Sequence, residues 1–192
     1  MAQETLTRTW QGLDIPPAGT YDVDPAHTTI EVIARHMMVS KVRGRFDEFS
    51  GHVVIGDDPT SSSVELDIQA ASISTSDEQR DGHLRSADFL DVETYPSIKV
   101  QGSSPQQVKG EDFKITVDLT IRDVTKPVEV DFTLGGVTKD PWGMTRVFFS
   151  GEFSIDREAF GVTWNQALET GGVMVGKELK AEVELQAVLR EE

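Results

Sequence analysis

Apolar and polar residues alternate along most of this chain. In FKITVDLTIRD, Phe113, Ile115, Val117, Leu119 and Ile121 fall on one side, and Lys114, Thr116, Asp118, Thr120 and Arg122 fall on the other. Successive side chains of a strand point to opposite faces, so this segment predicts a strand with one buried face. TTIEVIARH repeats the pattern through Ile30, Val32 and Ala34, and SVELDIQAASI repeats it through Val64, Leu66 and Ile68. VRGRFDEFSGHVVI has strand composition, with Gly44 and Gly51 as expected bulge or bend points. IKVQG, KPVEVDFTLGG and MTRVFFSGEFSI add further strands. ELKAEVELQAVL has the composition of a helix. Leu179, Ala181, Val183, Leu185, Ala187 and Leu189 nevertheless hold a period of two, and the period outweighs the propensity. GDDPTSS, SSPQQVKGED and Gly171-Gly172 are turn signals.

Roughly eight strands with little helix predict an all-β fold, an antiparallel sandwich or barrel. Closing the sheet would hide its edges, and the interior of such a barrel is either packed or just wide enough for one small ligand. Residues 1–19 are polar and end in Pro16, Pro17 and Gly19. They are expected to be an N-terminal arm outside the main fold, leaving residues 20–192 as one domain.

One segment breaks the alternation: RDGHLRSADFLDVETYPSIKV, residues 80–100. Ser74 or Ser76 can cap a helix, and Asp77 and Glu78 suit its positive end, so a short helix is expected over 77–85. Ser86 can cap a further turn through Phe89 and Leu90, and Pro96 holds Tyr95 extended to launch the next strand. The segment reads as one short helical crossover. Leu84, Phe89 and Leu90 turn inward, and an ion network of Arg80, Asp81, Arg85, Asp88 and Asp91 holds it. A catalytic role for His83 would need a nucleophile or carboxylate within hydrogen-bond reach. Asp81 and Asp88 are candidates, but neither G-x-S-x-G nor H-E-x-x-H spacing is present.

Eighteen basic residues stand against 33 acidic ones, for a net charge of −15 over 192 residues. No basic stripe appears, so nucleic acid is not an expected partner. No apolar run approaches the ~20 residues that span a bilayer, so stable membrane insertion is not expected. The absence of cysteine excludes disulfides, thiol catalysis and cysteine zinc sites. His27, His36, His52 and His83 carry no metal-ligand spacing, and no metal is expected. The N-terminus has no basic segment followed by an apolar one, which reads as a cytoplasmic protein. Lys41, Arg43 and Arg45 form a local basic cluster. It is either an ordinary outward strand face or a contact for a pyrophosphate or quinone oxygen at a cavity mouth. Met37-Met38 reads as core or loop filler, or as an adaptable lipid contact. Trp142 and Trp164 lie beside turns, where tryptophan is expected to pack over a barrel end.

DVDPAHTTIEVIARHMMVSKVRGRFDEFSG, RDGHLRSADFLDVETYPSIKV and FGVTW followed by GGVMVGKELKAEVELQAVL, in that order, resemble the YceI-like family from about Tyr21 to Leu189. The resemblance implies a lipocalin-like antiparallel β-barrel with a long apolar cavity. It implies non-catalytic binding of a polyisoprenoid, such as an isoprenoid quinone or a polyprenyl phosphate, and no other cofactor. It is consistent with a homodimer, and many such relatives are periplasmic. The crossover would then cover one end of the barrel. Expected tail contacts are Ile30, Val32, Phe46, Val53, Leu66, Leu84, Phe89, Leu90, Phe113, Ile115, Leu119, Phe132 and Phe153. Expected contacts at the head group or cavity mouth are His27, Arg45, His83 and Arg85. Two alternatives remain open. One is a hydrolase or isomerase acting on a lipid ester through His83. The other is a stress-related interaction protein whose barrel is filled by its own side chains.

Overall fold

Strands form almost everywhere the alternation predicts them. The computed structural model describes residues 6–191. Along the chain lie β1 (Arg8–Trp10), β2 (Leu13–Ile15), β3 (Gly19–Val23), β4 (Thr29–His36), β5 (Ser40–Phe46), β6 (Phe49–Ile55), β7 (Ser63–Gln69) and β8 (Ile73–Ser74). The helix α1 (Glu78–Arg85) follows, then β9 (Ser97–Ser103), β10 (Gln106–Lys109), β11 (Asp112–Ile121), β12 (Val124–Lys139), β13 (Thr145–Asp156) and β14 (Val175–Leu189). Among the described residues, no helix is long and apolar enough to cross a membrane.

These strands make a closed antiparallel barrel of eight staves. β3 and β4 run end to end as one stave, β5 and β6 as the next, and β7 and β8 as the third. β9, β11, β12, β13 and β14 complete the ring, and β14 closes it by pairing β13 on one side and β3 with β4 on the other. The helix-like composition of β14 yields to this double pairing. A strand flanked on both sides satisfies most of its backbone groups in ladders, and its period of two puts Leu179, Ala181, Val183 and Leu185 inside.

The gap between β3 and β4 would leave the backbone of Gln186 unpaired. Thr28 fills it: its hydroxyl accepts from the Gln186 N–H at 3.1 Å and donates to the Gln186 carbonyl at 3.2 Å. The Asp24 N–H donates to that carbonyl at 2.8 Å. Beside this corner Arg146 holds Asp24 at 2.6 Å and Asp140 at 2.8 Å.

Neither Gly44 nor Gly51 marks a bulge, because the ladders through both keep regular register. Gly51 is required by close approach: a Cβ there would lie 2.1 Å from the Glu65 carbonyl oxygen. The register shifts fall elsewhere, between Gln107 and Lys109, between Leu134 and Gly136 and between Val175 and Leu179.

The N-terminal arm departs from expectation as well. Residues 8–15 fold as the β1–β2 hairpin, with Ile15 buried in the core and Trp10 and Leu13 packed against it. Arg8 fastens the hairpin to the β6–β7 turn by donating to the Gly56 and Asp57 carbonyls. The arm looked polar because its apolar residues are few, yet each of these three is spent on one end of the barrel. Tyr21, Val147 and Ala187 are fully buried on the β3–β13–β14 side of that end. The other end carries α1, the β4–β5 turn and the long β13–β14 connection.

Candidate functional site

From the hairpin end, at Ile15 and Pro16, to the helical end runs a cavity of about 480 Å³. That size suits one small-molecule ligand. Its wall is the inward face of the staves: every expected tail contact, from Ile30 and Val32 through Phe113, Ile115 and Leu119 to Phe153, lines it. Leu84, Phe89 and Leu90 of the crossover line it too. The outward set, including Arg43, Arg45, Lys114 and Lys180, is instead taken up by surface carboxylates.

The crossover caps the cavity, but its construction differs from the expected one. The N-cap of α1 is Asp77, whose side chain accepts from the Arg80 N–H at 2.9 Å; neither Ser74 nor Ser76 holds that position. Asp is as good a cap as Ser, and here it is placed one residue before the first helical turn. The expected ion network is replaced by hydrogen bonds that converge on Thr75. Buried Asp81 accepts from the Thr75 N–H at 2.8 Å and from its hydroxyl at 2.5 Å. Arg80 donates to the Thr75 hydroxyl at 2.7 Å and to its carbonyl at 3.1 Å. Asp91 contributes its backbone, with a positive φ of 47° and a carbonyl that accepts from Tyr95. Among these five residues as described, Asp88 alone meets a histidine, its carboxylate hydrogen-bonded to the His83 ring at 2.8 Å.

The expected head-group contacts separate in space. His83 lines the cavity under the cover, in edge contact with Phe89 at 5.0 Å and Trp164 at 4.6 Å. Trp164 therefore packs over a barrel end as expected, whereas Trp142 is 80% exposed in the β12–β13 turn. Arg85 does not face the cavity: it donates to the Ala71 carbonyl at 2.7 Å and the Ile73 carbonyl at 2.9 Å, tying α1 to the segment before it. Arg45 is on the outer face of β5, paired with Asp47 at 2.6 Å, because Gly44 and Phe46 take the inward positions. His27 is exposed at the β3–β4 corner and bonded to Asp24 at 2.9 Å, outside the cavity wall.

The structure brings in polar groups that sequence reasoning missed. Arg157 is almost wholly buried at the covered end and lines the cavity. It donates to the carbonyls of Gly176 at 2.9 Å, Val162 at 2.7 Å and Trp164 at 2.9 Å, and burial pushes its pKa down. Among the described residues no carboxylate is in salt-bridge contact with this guanidinium, although the charges of Glu158 and Asp156 act on it from nearby, and a guanidinium so placed can meet an electron-rich head group. Arg80, His36 and Thr75 also reach the wall at this end. A single Arg between an acidic residue and a polar loop gives no periodic signal, and nothing in the sequence marked it. Arg122 lies 5.5 Å over the Tyr95 ring and donates to the Gly161 carbonyl at 3.2 Å, joining the β11–β12 turn to both halves of the cover.

The profile of the YceI-like domain matches residues 21–187. A UPF0312 protein of Staphylococcus aureus strain N315 is 38% identical over 167 residues, covering 84% of this chain and 93% of its own. Among solved structures, Burkholderia cenocepacia BcnA superposes with a TM-score of 0.75 at 24% identity, covering 86% of this chain and 99% of its own. A polyisoprenoid-binding domain from Saccharophagus degradans, implicated in plant cell wall breakdown, superposes with a TM-score of 0.69 at 13% identity, covering 91% and 100%.

Proposed function

We propose that this chain, which belongs to the YceI-like family, binds and carries a polyisoprenoid lipid, an isoprenoid quinone or a polyprenyl phosphate, without transforming it. The observation that carries the reading is the cavity itself: its staves are lined mainly by apolar side chains, and its ionisable lining groups, among them His83, Arg80 and Arg157, gather at the covered end. The tail would occupy the staves and the head group would rest under the cover. Each buried CH2 contributes about 0.8 kcal/mol, so a long prenyl chain binds tightly with few polar contacts. The Saccharophagus degradans domain of the same fold, described as polyisoprenoid-binding, supports the ligand class.

Native mass spectrometry of the purified protein, followed by organic extraction of what is released, tests the reading. A discrete added mass that extracts as a polyprenyl compound is expected, and it names the head group. A protein that stays at its bare mass after incubation with both quinones and polyprenyl phosphates would overturn it and favour an interaction protein. One contact favours a second reading: His83, which lines the cavity, pairs with the carboxylate of the exposed Asp88. Turnover of a prenyl ester, lost in His83→Ala, would replace carriage with hydrolysis.

A further inference from the structure

The β4–β5 turn carries three exposed apolar residues in a row: Met37 at 45%, Met38 at 54% and Val39 at 85% exposure. Val173, on the adjacent β13–β14 connection, is exposed too. The Met37 N–H donates to the Met174 carbonyl at 2.8 Å, so turn and connection form one surface. Met174 and His36 line the cavity, which therefore reaches the base of this surface. At the opposite end, the exposed Val108 and Trp142 belong to separate elements.

The turn is built against local preference. The Val39 N–H donates to the His36 carbonyl at 3.1 Å, and both central residues have positive φ, Met37 at 52° and Met38 at 59°. That sign pattern belongs to a type I′ turn, for which Asn-Gly is strongly preferred. Positive φ recurs at other non-glycine turn residues, Gln11 and Ser104 among them, but among the described residues only here do two successive residues share it and both carry large exposed apolar side chains. Charge points the same way. Arg35 and Lys41 lie directly opposite each other on β4 and β5, a like-charge cross-strand pair that is unfavourable by itself. Among the described residues neither has a carboxylate partner, whereas Arg43, Arg45, Lys177 and Lys180 are all paired.

We propose that the Met37-Met38-Val39 tip, with Val173 beside it and Arg35 and Lys41 behind it, is a membrane-contact site that seats the covered end of the barrel on an anionic bilayer. The apolar tip enters the interface while the two unpaired cations meet lipid phosphates, the pairing of apolar face and basic flank found in interfacial anchors. The net charge of −15 does not forbid this. Screening limits its reach to about 10 Å at 0.1 M salt, so the charges at the contacting end decide. The contact is reversible and shallow, and it places the cavity rim at the surface where a polyisoprenoid resides. It builds on the carrier reading but is tested apart from it.

The test is flotation of the full chain with vesicles of phosphatidylcholine containing a minority of phosphatidylglycerol. The wild type is expected to float with them. Met37→Asn combined with Met38→Gly should bind at least ~10-fold more weakly, since it removes two interfacial side chains. Because it installs the residues the turn prefers, its melting temperature should hold or rise. Met37→Leu with Met38→Leu should retain binding. A wild type that does not float, an Asn-Gly variant that floats equally, or a Leu-Leu variant that fails to float would overturn the proposal. So would a wild-type dimer that the Asn-Gly variant dissolves without change in flotation, which would make the tip a contact between copies. Capture of a quinone from detergent solution, measured on the same variants, keeps the two readings distinct. It should survive the Asn-Gly change, and its absence in every variant would count against the carrier reading alone.

Discussion

Arg146 ties the β3–β4 corner to the β12–β13 turn through Asp24 and Asp140, with its side chain only 11% exposed. Burial pushes the Asp24 carboxyl up, but the hydrogen bonds from Arg146 and His27 outweigh it, and the pKa ends below the ordinary value. Asp140 behaves alike: burial acts upward, and Arg146 with the Met144 and Trp142 N–H groups brings it down. An unfolded aspartate titrates at about 3.9. Both folded values are lower, so their stabilisation is complete above that pH and is lost as pH falls through the folded values. Arg146→Gln should therefore lower the urea midpoint at neutral pH and flatten its decline below about pH 4. An unchanged acid limb in urea titrations followed across that range would show that the trio does not govern acid stability. His27 stood out in the sequence, but its role at this corner depends on Asp24 and on Arg146, which is remote in the chain. A pairing between residues so far apart leaves no local pattern.

At the scale of elements, the cover depends on how it is fastened. Isolated helices shorter than ~12–15 residues are marginal in water, and α1 spans only Glu78–Arg85, so tertiary contacts must hold it. Thr75 is the chief of these, joining Asp81 and Arg80. Thr75→Val keeps the shape and the backbone N–H but removes the hydroxyl. Leaving Asp81 with one donor fewer costs about 1–3 kcal/mol, enough to speed lipid release by roughly 10-fold if release requires the cover to lift. Transfer of a bound prenyl quinone to acceptor vesicles measures this directly; an unchanged release rate would mean that ligand leaves by another route. The strands themselves were legible. A strict period of two decides which residues share a face, so Phe113, Ile115 and Leu119 could be grouped from their own segment, whereas the cavity they line was an expectation of the family resemblance. The period even overrode helical composition in β14. The cover was legible as a short helix with Leu84, Phe89 and Leu90 inward, but its fastening was not. Asp81 could have met any of several neighbouring bases, and the choice of Thr75 depends on how β8 enters α1. The placement of Arg45 and Arg85 failed for a related reason. Charge identity marks a residue as able to meet a head group, whereas the pleat and the nearest backbone carbonyls decide where it points.

At the scale of the whole molecule, closure both hides the sheet edges and leaves the interior open. Tyr21, Val147 and Ala187 are packed solid where β3, β13 and β14 meet, and the interior beside them is left as a cavity of about 480 Å³ that runs from Ile15 of the hairpin to the cover. Dispersion contacts that a filled core would make are absent along that wall, so the empty barrel is less stable than its staves allow. A ligand that fills the space must then raise the stability of the folded state by mass action. At a free concentration 100 times its dissociation constant it contributes about 2.7 kcal/mol. For a chain of this length that corresponds to a rise in melting temperature of roughly 5–10 °C. Val183 lines the cavity from β14 without being fully buried, so an enlarged side chain there has room to occupy the ligand's space. Val183→Trp is expected to abolish the rise produced by an isoprenoid quinone while the unliganded protein melts cooperatively. Differential scanning calorimetry with and without the quinone reads both. If the substituted barrel still gains the full increment, the lipid binds on the outer surface and the cavity is not its site. If wild type and variant alike gain nothing, the cavity serves some other apolar ligand or none. A gain confined to the wild type ties the stabilisation to the interior that the alternating pattern of the sequence creates.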